Sequence, residues 1–173
     1  MLAWHLAGAL FLFRWIFRDP EVDVRYLAAG ALLPDVVDLP LGTLFLVDRY
    51  STGELFMHTL TAPAAVGVVV LVLTRRGARR KAWMALAVGM LFHLFLDGMW
   101  REAEVFAWPF FGFDFPPGPD PYWSGVGDRA LADPWRWGRE VVGLAYLAAL
   151  WSRSGLRDRL RRRDLVRTGR LAP

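Results

Sequence analysis

The sequence predicts an all-α integral membrane bundle of about five transmembrane helices, its second helix broken, with the N-terminus outside and the C-terminus in the cytoplasm. Three observations point there. Hydrophobic residues make up 55% of the 173 and include nine tryptophans. They gather in runs close to the roughly 20 residues that a spanning helix needs. Basic residues concentrate in alternate connections between those runs. The mean hydropathy of +0.27 is modest because arginine-rich ends and connections dilute the runs.

The first run, Leu2 to Phe17, is short but can span with help from flanking residues. It reads as a retained helix and not as a signal peptide: Arg14 and Arg18 follow the apolar stretch, and no small-residue cleavage site appears. The second, Tyr26 to Val47, contains GALLPDVVDLPLG. Pro34 and Pro40 remove backbone donors and disfavour helix before them, so a break is expected. Broken backbone at membrane depth needs protein or a water-filled cavity around it, which places a polar pocket beside residues 33–40.

The third and fourth runs are Leu55 to Leu73 and Ala82 to Trp100. The connection after them, Arg101 to Gly138, carries FAWPFFGFDFPPGPDPYW. Its prolines and glycines exclude regular structure, while Trp108, Phe110, Phe111, Phe113, Phe115, Tyr122 and Trp123 favour the headgroup region. Residues 105–123 are expected either to pack on the bundle as an interfacial loop or to form a lid or wall over a site. Asp133 before Pro134 reads as N-cap and first turn of the last helix, whose apolar run is Val141 to Trp151. Residues 1–151 thus form the membrane domain. Residues 152–173 form a basic cytoplasmic tail in which Leu156, Leu160 and Leu165 allow a short amphipathic helix on the membrane.

Sixteen of the 21 basic residues lie on one side: Arg14, Arg18 and Arg25 around the first connection, Arg75, Arg76, Arg79, Arg80 and Lys81 in the third, and eight arginines after Trp151. Arg49, Arg101, Arg129, Arg136 and Arg139 lie on the other. The rich side is cytoplasmic, and the chain is expected in the inner, cytoplasmic membrane as a multi-pass protein. The charge of +4 and the pI near 10.1 do not call for nucleic acid as a partner. Juxtamembrane arginines are accounted for as topology determinants and anionic-lipid contacts, each worth about 1 kcal/mol near a charged surface. Oligomeric state is not readable.

Ionisable residues inside apolar runs are costly and mark functional sites. Here they are His5, Asp35, Asp38, His58, His93 and Asp97. His93 and Asp97 are four apart and share a helix face, as a chelating pair would; Asp35 and Asp38, three apart, share one if their segment is helical. The topology brings all six to one depth on the outer side. A chain without cysteine excludes disulfides and thiolate ligands, so these three His and three Asp form an oxygen and nitrogen ligand set. It suits one or two divalent transition-metal ions, zinc first, with manganese or iron as alternatives. Such a site activates water and polarises esters, so hydrolysis is expected, with phosphoesters as the leading substrate class. Asp38 and Glu140 are the candidate catalytic groups, Glu140 as a general base at the outer end of the last helix. Glu102 and Glu104 read as rim charges.

His5, GALLPDVVD, His58-Thr59-Leu60, GMLFHLFLDGMW and Trp108-Pro109-Phe110 occur in an order that resembles the bacterial and archaeal membrane-bound metal-dependent hydrolases first described as LexA-regulated inner-membrane proteins. The resemblance covers roughly residues 1–150. It implies a metal-dependent hydrolase with His5, Asp35, Asp38, His58, His93 and Asp97 at the motif positions. That family is in turn similar, in its His and Asp order, to zinc-dependent phospholipase C enzymes. Many members carry H-R-G-x-T-H-S where this chain has GELFMHTL, so one histidine remains there and a single-metal site stands beside a two-metal one. Two other classes fit the same residues: a transporter relaying ions or protons through the broken helix, and a metal-stabilised scaffold without turnover.

Overall fold

The computed structural model describes residues 1–118 and 133–171, and among them seven α-helices and no strand. Helix α1 (Leu2–Ile16) is followed by α2 (Val24–Pro40), whose N-cap Asp23 accepts the Arg25 N–H at 3.0 Å. The break expected at Pro34 does not occur. α2 passes through Pro34 and runs directly into a π-helical turn, Leu41–Phe45. Pro34 removes one helix donor, but the turn before it is held from outside: His93 Nδ1 donates to the Ala31 carbonyl at 2.7 Å. The carbonyl that lacks its donor because of Pro34 is that of Gly30, four residues back, and proline inside a spanning helix is tolerated where surrounding protein accommodates it.

The third apolar run is not helical throughout. Residues Phe56–His58 form a 3-10 turn and α3 begins later, at Thr61–Leu73. The cause is Asp38, a fully buried carboxylate on α2 whose Oδ2 accepts the N–H groups of Leu55, Met57 and His58 at 2.9, 2.8 and 3.1 Å. A side-chain acceptor competing for backbone donors diverts a chain from helix.

Helix α4 (Ala78–Asp97) ends at Gly98, which takes a left-handed φ of 73° and closes the helix back to Leu94. α2 and α4 touch backbone to backbone: a Cβ on Gly30 would overlap the Leu86 carbonyl, and one on Gly89 the Leu27 carbonyl. Small residues allow such approach between membrane helices. A short α5 (Ala103–Phe106) precedes the aromatic loop, where Trp108 stacks on buried Phe115 and both meet Phe56 edge-on. Phe110, Phe111 and Phe113 are exposed. Tyr122, Trp123 and Arg129 lie outside the described residues.

Helix α6 (Pro134–Arg153) starts as expected, with the Asp133 carboxylate accepting the Trp135 N–H at 3.0 Å. α7 (Arg159–Thr168) is capped by Asp158. Leu156 and Leu171, on either side of α7, are buried in the main core with Leu10, Phe13, Leu27 and Phe92, while Leu160 is exposed. The basic connections meet at this end of the bundle: Lys81 pairs with Asp19, and Arg25 donates to the Val166 carbonyl at 2.6 Å.

Among the described residues one helix, Val24–Phe45, is long and apolar enough to cross a membrane; α1 and α3 are apolar but shorter. On α3, Val68, Val69, Leu71, Val72 and Leu73 are all more than half exposed.

Candidate metal centre

At the opposite end of the bundle, where α1 begins and α2 and α4 end, the polar residues meet. His93 is on the last turn but one of α4 and fully buried. Its Nδ1 donates to a carbonyl, which can only accept, so its Nε2 is the atom left facing the centre. His58 is oriented the same way. Its Nδ1 donates to Asp38 Oδ2 at 2.8 Å, and its Nε2 lies 3.2 Å from that of His93.

Two carboxylates close the group. Asp97, one turn after His93, places Oδ2 3.0 Å from His93 Nε2. Asp35 places Oδ1 3.6 Å from the Nε2 atoms of both histidines. One atom from each of Asp35, His58, His93 and Asp97 falls within 4.8 Å of all the others, so these four residues could hold a metal ion. A tetrahedral zinc site with ligand bonds of about 2.0–2.1 Å separates its ligand atoms by about 3.3 Å. The distances found here bracket that value.

The other residues singled out from the sequence lie around this group. His5 stacks on the His93 ring at 4.1 Å and its Nε2 bonds to Asp97 Oδ1 at 2.8 Å. Its buried Nδ1 makes no hydrogen bond among the described residues and is 3.9 Å from Asp35 Oδ2. Asp38 is outside the four. Its Oδ2 faces the backbone of the 55–58 turn and the far nitrogen of His58, so it orients a ligand-type histidine, while its Oδ1 is buried without a hydrogen-bond partner among the described residues. Glu140 is also outside. Its Oε2 accepts the Ala3 N–H at 3.0 Å and caps α1, whose first donors have no partner within the helix.

A cavity of about 600 Å3 opens over the centre, lined by His5, Asp35, His58 and Asp97 at its base. Pro116, Pro117 and Gly118 of the aromatic loop form one wall. Glu54, Glu102, Arg136 and Arg139 also line it. Glu54 and the arginine pair carried no signal in the sequence, since only the folded turn before His58 and the first turns of α6 bring them there. Burial holds the Glu54 carboxyl above the usual carboxylate range, against an opposing pull from His58 and with added repulsion from Glu102, Asp97 and Asp35.

A family model described as YdjM inner membrane protein matches residues 2–157. The chain belongs to this family. The matched span contains every residue of the centre and all of the cavity lining except Met1, and it identifies the chain as an inner-membrane protein. No curated protein and no solved structure matches it.

Proposed function

We propose that the chain is a metal-dependent hydrolase of the inner membrane, acting on a phosphoester or phospholipid-type substrate with zinc at Asp35, His58, His93 and Asp97. The observation that carries this is the pair of histidine Nε2 atoms 3.2 Å apart. Both rings use Nδ1 as the donor, so as neutral imidazoles they would aim lone pairs at each other, an arrangement relieved by a metal ion between them or, without one, by a proton on one ring. The two carboxylates complete a four-ligand set of the type zinc takes. The bound ion would supply Lewis acidity, polarising an ester and making a water molecule acidic near neutral pH.

The chain's own residues do the rest. Asp38 and the Ala31 carbonyl fix the two rings in one tautomer and orientation. His5 holds Asp97 in place through Oδ1, leaving Oδ2 toward the centre. Glu54, a half-buried carboxyl lining the cavity, would take a proton and return it to a leaving oxygen. The prolines of the loop restrict water on one side of the cavity.

The same reading takes the bundle to cross the membrane about five times, with the centre near the outer face. It is supported by the exposed apolar face of α3 and by the gathering of Lys81, Arg25 and the tail at the other end. A reporter fused after Pro173 should then score as cytoplasmic, and a periplasmic score would overturn the orientation. For the chemistry, detergent-purified protein loaded with zinc is assayed against bis(p-nitrophenyl) phosphate and phospholipids. Turnover should vanish after chelation and return with metal. Turnover that survives both chelation and Asp97→Ala would refute a metal-dependent reaction.

A further inference from the structure

We propose that Arg136 and Arg139 form an anion-binding wall opposite the metal centre, taking the phosphate group of the substrate in a guanidinium clamp. The proposal rests on the hydrolase reading above and names what that site recognises. The base of the cavity is acidic: Asp35, Asp97, Glu54 and Glu102 all line it. One divalent ion neutralises two of these charges, and the remaining glutamates would still repel a phosphate. The positive charge that offsets them comes from α6.

Arg136 and Arg139 are three apart in the first turns of that helix, so they share a face, and both line the cavity. Neither pairs with a carboxylate among the described residues, although acids line the same space, and Arg139 Nε is buried without a hydrogen-bond partner among them. A buried donor left unmatched in a folded protein calls for an explanation, and a ligand oxygen supplies one. Topology does not require these arginines either. They belong to the five basic residues on the side where few are expected.

The clamp is also held rigidly with respect to the centre. Gly143 packs so tightly on α1 that a Cβ there would overlap the Ala3 backbone, and Glu140 takes the Ala3 N–H. Arg139 is the neighbour of Glu140, and His5 is two residues beyond Ala3, so one helix contact sets the spacing between the arginine and the histidine cluster. Guanidinium groups match phosphate oxygens through paired, charge-assisted donors, which an ammonium does not reproduce.

The test uses full-length, zinc-loaded protein in detergent, titrated calorimetrically with inorganic phosphate and, separately, with dihexanoyl phosphatidylglycerol. Arg136→Gln with Arg139→Gln should weaken phosphate binding at least tenfold while metal content and melting temperature stay at the wild-type level. Arg136→Lys with Arg139→Lys should recover part of the loss, and it carries the comparison if the glutamine pair does not fold. Competition between lipid and phosphate assigns the site to a lipid headgroup; phosphate binding without competition assigns it to a soluble phosphate compound. Phosphate affinity within twofold of wild type in the folded double variant overturns the proposal, as does metal-loaded wild type that binds neither probe. Arginine-dependent binding by a protein that turns over no ester would leave the clamp standing and remove the hydrolase reading alone.

Discussion

His58 and His93 reach the same point from different elements, with their Nε2 atoms 3.2 Å apart and their Nδ1 atoms held by Asp38 and the Ala31 carbonyl. The two anchors make different demands on the fold, which the following substitutions separate.

Asp38→Ala should be the most damaging change near the centre. It strands three backbone N–H groups and one imidazole donor, each costing about 1–3 kcal/mol if left unpaired. Asp38→Asn keeps an acceptor there and should fold, with metal affinity lowered about 10–100-fold. Thermal melts in detergent and competition with a chromogenic chelator measure the two effects.

Gly89 sets the distance between α2 and α4 one turn before His93. Gly89→Val should push α4 away from the Leu27 carbonyl, move His93 out of line and release the metal. Gly67→Ala, inside α3 where a Cβ meets nothing, is the matched control and should leave metal content unchanged without lowering the melting temperature.

Glu140 separates capping from catalysis. Glu140→Ala should lower stability by about 1 kcal/mol through loss of the α1 cap. Per-molecule turnover and metal content should hold, whereas a general base would cost 100-fold or more in kcat.

Asp23 supplies a pH dependence at the end of the bundle away from the centre. Its hydrogen bond with Arg25 holds the carboxyl below the usual 3.8, so the cap is stronger in the ionised form. The contribution, about 1 kcal/mol, is therefore complete above the unfolded value and lost as pH falls through the lower folded one. The melting temperatures of wild type and Asp23→Ala should differ at pH 7 and converge in acid.

Much of this arrangement was legible in the sequence because it is local. His93 and Asp97 share a face through helical spacing alone, and the Asp133-Pro134 start of α6 follows from capping chemistry. Pro34 was misleading: α2 continues through it, and the turn before it is held by a histidine from another helix, a contact that no local pattern reports. Asp35 and Asp38 could not be told apart for a related reason. Three residues apart on one helix, they differ only in what faces them, the open centre for Asp35 and the 55–58 backbone for Asp38. Glu54, Arg136 and Arg139 were silent because their place depends on how the turn and α6 dock.

Elemental analysis of the purified wild-type protein beside His58→Ala and Asp97→Ala tests the central claim most directly. The account predicts about one zinc or similar transition-metal ion per chain in the wild type and its loss in both variants, with His5→Ala retaining part. Folded wild-type protein that takes up no metal when zinc is supplied, or variants that keep a full complement, would contradict it.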